Sequence, residues 1–288
     1  MDLDALLRRQ NGVLSLDQAR ACGLSDRTIE RRVAAGRWVR LHPRVYLVSG
    51  YALDTAGRIR AASLWLADDA VVSGPAAAYW HGMLDRLDGD VDATIPARLH
   101  RSARPGVRIR RRDLSSVDRC RRRGLWVTAI PLTALETAAR LPDGAAFLDR
   151  ALQRYTSFAD VHAAYNRMLG AHGSARAGRL LRAAADRANS EAERLLLGIL
   201  REGGVAGWVL GHPFGPWTID LAFVERRLAI EFDGWAWHTD RDRFVSDRRK
   251  GNALVGAGWT LLRFTWADLT ERPDRVLAQV RSALKRAA

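Results

Sequence analysis

Residues 217–238 read WTIDLAFVERRLAIEFDGWAWH. Two apolar, β-favouring runs, Trp217–Phe223 and Leu228–Phe232, flank the polar patch Glu225-Arg226-Arg227, a pattern that predicts a hairpin. With Glu225 and Arg226 as a two-residue turn, antiparallel pairing sets Phe223 opposite Leu228, Leu221 opposite Ile230 and Asp220 opposite Glu231. The turn carries neither Asn-Gly nor Asp-Gly, the strongest short hairpin signals.

Directly opposed side chains have Cβ atoms about 4.5 to 5.5 Å apart, and like charges there are destabilising. One acid must take up a proton with a raised pKa, or a hard cation such as Mg²⁺ or Mn²⁺ must sit between them, with carboxylate oxygens at about 2.0 to 2.1 Å for Mg²⁺. Asp233 falls on the face of Glu231 if the strand is still extended, as a third ligand or orienting group. His238 follows within reach of it. The competing reading places Asp220 and Glu231 on a solvated strand face and makes Asp233-Gly234 an ordinary turn. Ile219, Leu221, Ala229, Ile230 and Phe232 leave little of the polar alternation such a face needs.

Asp220, Glu231-Phe232-Asp233-Gly234 and His238 together resemble the signature of the very-short-patch-repair-like endonucleases, a branch of the PD-(D/E)XK restriction-endonuclease fold. The likeness covers about residues 190–284. Asp220 takes the acid of the "PD" motif and Glu231 the (D/E) position; Asp233 stands where many relatives carry the motif lysine. The resemblance implies a Mg²⁺- or Mn²⁺-dependent endonuclease, with Asp220, Glu231 and Asp233 on the metal. His238 then donates or accepts a proton near its ordinary pKa of about 6.5, and Lys250, from the following helix, replaces the motif lysine; its bland role is a surface charge at a helix start. Glu193 is either brought to the edge of the metal site or closes a capping box with Ser190.

The chain has 288 residues, 48% hydrophobic and 27% charged, enough for two or three domains. No apolar run reaches membrane-spanning length, and MDLDALLRRQ lacks a signal-peptide core, so a soluble cytoplasmic protein with no membrane partner is expected. Cys22 and Cys120 are too isolated for a disulfide framework or zinc ribbon. The net charge of +14 points to a polyanion. Its excess lies in the middle, where Arg98, Arg101, Arg104, Arg108, Arg110, Arg111, Arg112, Arg119, Arg121, Arg122 and Arg123 face only Asp113 and Asp118 within their stretch.

Residues 1–50 read as a winged helix-turn-helix. Leu3, Leu6 and Leu7 form one helical face. Ser15 with Gln18 makes a capping box, Leu14 and Ala19 its staple, and Gly23 its stop. Ser25 caps a third helix with Ile29 and Val33 inward and Arg27, Thr28, Arg31 and Arg32 outward, suited to double-stranded DNA. Residues 38–48 supply the wing. The alternative is a trihelical adaptor with merely solvated arginines. This stretch resembles the N-terminal domain of type IV toxin–antitoxin (abortive-infection) antitoxins, a winged helix that binds promoter DNA, and VVSGPAAAYWHGM and WVTAIPLTALETAAR look like the same family's middle region. That likeness implies a toxin or other protein partner.

Residues 55–188 read as a mixed α/β connector, with helices at 58–66 and 132–139 and strands at Val91–Ile95, Val107–Arg111 and Leu125–Thr128. His81 reads as a packing histidine. The arginine block, Arg110, Arg111 and Arg112 included, reads as a phosphate track or, more blandly, an exposed basic edge. Residues 170–178 read as a linker, Ser190 as the cap of a helix at 191–202, residues 244–257 as a helix and Pro273 as the first residue of the last one. The expected chain is α/β (α+β): winged helix-turn-helix 1–54, mixed α/β middle 55–188 and a restriction-endonuclease-like α/β sandwich 189–288. From the binding class, the competing function is an antitoxin-like transcriptional regulator that keeps the nuclease fold as a scaffold.

Overall fold

The computed structural model describes residues 2–66, 69–102, 104–232 and 241–287. The chain divides into two compact units, Met1–Leu180 and Leu181–Ala288.

The first unit opens with α1 (Leu3–Arg9), β1 (Val13–Ser15), α2 (Leu16–Ala21) and α3 (Asp26–Ala34), then β2 (Trp38–His42) and β3 (Val45–Val48). Side-chain caps start all three helices. Asp2 accepts from the amides of Asp4 and Ala5, Ser15 and Gln18 close a reciprocal capping box, and Ser25 accepts from Thr28; each such cap contributes about 1 kcal/mol. The turn from α2 to α3 passes through Gly23 at φ 84° and is clasped by Arg20, which donates to both Asp26 oxygens at 2.8 and 2.6 Å. Leu6, Leu7, Leu14, Ala19, Ile29, Trp38 and Tyr46 bury one another. The strands form an antiparallel sheet in the order β1-β3-β2, and Val13 and Val45 meet Ala61 of α4 (Thr55–Leu66).

The middle of this unit continues with β4 (Val71–Val72), α5 (Gly74–His81), β5 (Val91–Ile95), β6 (Val107–Arg111), β7 (Arg119–Arg122) and β8 (Leu125–Thr128), followed by α6 (Ile130–Ala138), α7 (Gly144–Arg154) and α8 (Phe158–Arg167). The strands run β6-β5-β4-β8-β7, with β5–β6 and β4–β8 parallel and the other pairs antiparallel. Fully inside it lies Glu136, whose carboxylate accepts from the Gly74 amide at the start of α5 (3.1 Å) and from Arg112 (2.8 Å). It serves as a helix cap delivered from another helix. β4, α5, α7 and α8 are not among the strands and helices expected from the sequence, although β4 and α5 lie within the antitoxin-like stretch VVSGPAAAYWHGM.

Helix α9 (Ser174–Glu202) spans the division between the units. Two expectations fail here. Residues 174–178 are not linker but helix, and Gly178 packs so tightly on Tyr165 that a Cβ would come within 2.2 Å of its hydroxyl. Ser190 caps nothing; inside α9 its hydroxyl donates to the Asp186 carbonyl at 3.1 Å, the back-bond a serine makes when packing carries a helix through it. Glu193 therefore has no capping box to close, and its side chain is exposed in mid-helix.

The second unit holds β9 (Val209–Phe214), β10 (Trp217–Phe223), β11 (Leu228–Phe232), α10 (Arg241–Gly256), β12 (Thr260–Phe264), α11 (Trp266–Glu271) and α12 (Pro273–Arg286). The sheet runs β12-β11-β10-β9, antiparallel except for β11–β12. Leu221, Phe223, Leu228, Ile230 and Phe264 pack against Leu196 and Leu200 of α9 and Val276 and Val280 of α12; Ala222 and Ala229 meet Leu254 of α10. The β10–β11 connection is a 3₁₀ turn at Val224–Arg226 closed by Arg227 at φ 44°, ψ 42°, not the expected two-residue turn. Lengthening a turn by one residue on each side leaves the pairing unchanged, so Phe223 still faces Leu228 and Leu221 faces Ile230.

Candidate functional site

The register that sets Leu221 against Ile230 carries one pair further to Asp220 and Glu231. There the two acids interlock: the Phe232 amide donates to Oδ2 of Asp220 at 3.0 Å, and the Asp220 amide lies 3.4 Å from Oε1 of Glu231. On the other side of β10, Gly211 turns to φ 59° between the pairs Ile219–His212 and Leu221–Leu210, so the β9 ladder is interrupted beside Asp220.

Helix α10 lies over these acids because Leu254, fully buried, is seated on Ala222 and Ala229. One turn earlier Lys250 points inward from the same helix face. Its Nζ donates to the Thr218 carbonyl at 2.6 Å and to Oε2 of Glu231. Lys250 is 8% exposed and Glu231 7%, so Lys250 is not a surface charge at a helix start and Glu231 does not lie on a solvated strand face. Burial first, and the Asp220 charge second, push the Glu231 carboxyl up to about 6 against the opposing pull of Lys250.

Two opposed carboxylates give hard oxygen donors of the kind Mg²⁺ and Mn²⁺ take, and Mg²⁺ sites are commonly built from one or two carboxylates with water and substrate phosphate completing the shell. The donor set fits such an ion. Among the described residues no third His, Cys, Asp or Glu joins the pair. Asp233 and His238 lie outside the described residues. Sequence reasoning did not single out Thr218, on β10 beside Asp220, or Asp247 and Arg263, which reach this face from the helix and the parallel strand; no local motif marks any of the three.

In the first unit, α3 buries Ile29, half-buries Val33 and exposes Arg27 and Arg31. Thr28 is half-buried with its hydroxyl 3.0 Å from that of Ser25, and the Arg32 guanidinium lies over the Trp38 ring at 5.3 Å. The arginine block is less uniform than its sequence suggests. Arg110 is half-buried on β6, Arg111 meets His100 at 3.1 Å, and Arg112, with a side chain 23% exposed, is engaged by Glu136. Arg112 is thus an internal ion-pair member and not part of an exposed edge. His81 is buried with Nε2 2.8 Å from the Thr128 carbonyl, and burial pulls its pKa down; it stays neutral and packs.

Among the described residues no helix is long and apolar enough to cross a membrane. Two curated proteins of Mycobacterium tuberculosis, from strains CDC 1551 and H37Rv and both named as uncharacterized, are 27% identical over 280 residues, 92% of this chain and 98% of theirs. The catalytic domain of the homing endonuclease I-Bth0305I aligns at 24% identity over 33% of this chain and 95% of its own, with a TM-score of 0.29. Residues 1–49 match the family described as "Transcriptional regulator, AbiEi antitoxin". Residues 200–284, which include Asp220, Glu231, Lys250 and Arg263, match the restriction-endonuclease family model REase_MTES_1575, so the chain joins an antitoxin-like N-terminal region to a restriction-endonuclease-like C-terminal domain.

Proposed function

We propose that the second unit is a divalent-metal-dependent endonuclease that hydrolyses DNA phosphodiester bonds, directed to double-stranded DNA by a winged helix-turn-helix at residues 1–54. One observation carries this: Asp220 and Glu231 meet across a single hairpin, both partly or wholly withdrawn from water, and the one ammonium there, that of Lys250, is bound to Glu231. The site keeps an excess of negative charge that a cation would offset.

Asp220 and Glu231 are the ligands in this reading, and Asp233 the third ligand or orienter. When bound, Mg²⁺ or Mn²⁺ supplies the charge that polarises a scissile phosphate and acidifies a water. Lys250, tethered by the Thr218 carbonyl, keeps a positive charge beside the acids whose protons suit a phosphate oxygen. His238 is assigned the proton transfer. On α3, Arg27, Thr28, Arg31 and Arg32 face the DNA, and Arg110 and Arg111 add phosphate contacts. The antitoxin likeness implies a toxin or other protein partner, and the cell compartment proposed is the cytoplasm.

A second reading rests on the Lys250–Glu231 ion pair, which satisfies the glutamate without any metal: a DNA-binding regulator in which the nuclease fold is a scaffold. Nicking of supercoiled DNA separates the two. The endonuclease reading expects nicking that needs Mg²⁺ or Mn²⁺ and disappears in Asp220→Asn. DNA binding with no metal-dependent nicking by the wild type sinks that reading in favour of the regulator.

A further inference from the structure

Arg263 is, among the described residues, a cation on this face that the chemistry above leaves unused. Across β11 and β12 it pairs in register with Glu231, so it stands in the row that holds the two acids. Helix α10 fixes it from above. Asp247, Lys250 and Gly251, spaced i, i+3 and i+4, form one helix stripe: Lys250 reaches Glu231, Asp247 Oδ2 lies 3.5 Å from Nη2 of Arg263, and a Cβ at Gly251 would lie 3.0 Å from the same nitrogen.

The structural role available to Arg263 is a tie between β12 and α10 through Asp247. That tie is weak. The two side chains are 39% and 30% exposed, and a single contact of 3.5 Å is longer than the 2.7 to 2.9 Å typical of a charge-assisted hydrogen bond, so it contributes little to stability. A guanidinium has five N–H donors in a planar fork, and among the described residues no hydrogen bond engages those of Arg263. The geometry is that of an arginine parked against one carboxylate with its fork open to solvent.

We propose that Arg263 holds the phosphate of the nucleic-acid strand at this site, taking two non-bridging oxygens beside the bond that Asp220 and Glu231 address. This rests on the endonuclease reading and deepens it. Arginine suits the task because its fork matches two phosphate oxygens at once, whereas lysine offers a point charge. With overall DNA affinity supplied largely by other basic contacts, the loss should fall on kcat and leave KM for DNA little changed.

The test uses the full chain, supercoiled plasmid DNA and Mg²⁺, reading the cleavage rate constant and the Mg²⁺-induced rise in melting temperature. Arg263→Met is expected to slow cleavage about 100-fold, while the melting-temperature rise stays at its wild-type size. Arg263→Lys should recover part of the rate. Gly251→Ala, which favours the helix but crowds Nη2, should slow cleavage without lowering the melting temperature, and Asp247→Asn should cleave at close to the wild-type rate. Arg263→Met cleaving like the wild type overturns the proposal, as does an Asp247→Asn loss equal to that of Arg263→Met, which would make the pair a structural tie. A wild type that neither cleaves nor gains stability with Mg²⁺ removes the endonuclease reading and this inference together; one that does both, with Arg263→Met unimpaired, removes this inference alone.

Discussion

Each unit buries a glutamate against a single cation and a single backbone amide, and the two behave as different chemistry. Glu136 accepts from Arg112 and the Gly74 amide; Glu231 accepts from Lys250 and, at longer range, the Asp220 amide. Burial is the leading cause that raises both carboxyls. They differ in the next neighbour. Glu136 also has a buried acid nearby, Asp92, but the charges of Arg112 and Arg110 and the amide at the positive end of α5 each outweigh it, so its ionised form is compensated where it stands. Glu231 faces a second carboxylate, and Lys250 alone cannot neutralise both. A buried acid is therefore evidence of function here only when its neighbours leave charge uncompensated.

The largest effect expected from breaking this contrast is on cleavage. Asp220→Asn or Glu231→Gln should lower Mg²⁺-dependent nicking by more than about 100-fold, since even partners one shell outside a metal cost 10- to 100-fold. The same changes should cancel the stabilisation by metal, about 2.7 kcal/mol at 100 times Kd, read as a melting-temperature shift with and without Mg²⁺. Glu136→Gln should leave metal-dependent nicking in place. If Glu136→Gln abolishes nicking at a temperature where the protein is folded, the contrast fails.

Glu136→Gln should instead destabilise the first unit by about 3 kcal/mol, the lower end for removing one member of a buried ion pair, because Arg112 keeps some solvent to fall back on. Urea unfolding followed by tryptophan fluorescence measures it. A change below about 0.5 kcal/mol, the surface range, would show that the pair is not structural.

A smaller effect comes with pH. His81 has its pKa lowered by burial, so below about pH 6.5 the unfolded chain binds a proton that the folded protein does not. Stability from this group is full above that pH and drains as the pH falls, with a slope of at most about 1.4 kcal/mol per pH unit. His42 and His162 are lowered the same way, so the share of His81 is the flattening seen in His81→Gln. Equal slopes in the two proteins would contradict the neutral packing role.

The smallest effect separates exposed arginines from internal ones. Arg27→Ala and Arg31→Ala should each reduce the salt slope of DNA binding by about 0.9 and change folding stability by less than about 0.5 kcal/mol. Arg112→Ala should lower stability instead. An unchanged slope in the Arg27→Ala, Arg31→Ala double variant would remove α3 as the reading helix.

Much of the local structure was legible. The capping signals at Ser15, Gln18 and Ser25 and the stop at Gly23 act through a few neighbouring residues, and the helices of the N-terminal region stand where they place them. Centring the turn on Glu225 and Arg226 was enough for the Asp220–Glu231 register even though the turn is longer than expected, because a turn lengthened equally on both sides keeps the same cross-strand pairs. Ser190 failed because a capping box is a signal of local preference, and the burial of Ala192, Leu196 and Leu200 carries α9 through it.

By itself the sequence determined where caps, turns and apolar runs fall, and hence the helix-turn-helix, the strands Val91–Ile95 and Val107–Arg111 and the two acids of one hairpin. Tertiary structure decided what each charge meets. Lys250 reaches Glu231 only because Leu254 seats α10 on the sheet, Arg263 joins their row only because β12 runs parallel to β11, and Arg112 leaves the basic edge because α6 brings Glu136 to it. Periodicity is set by neighbours along the chain, whereas compensation of a buried charge depends on groups far apart in sequence that packing alone brings together.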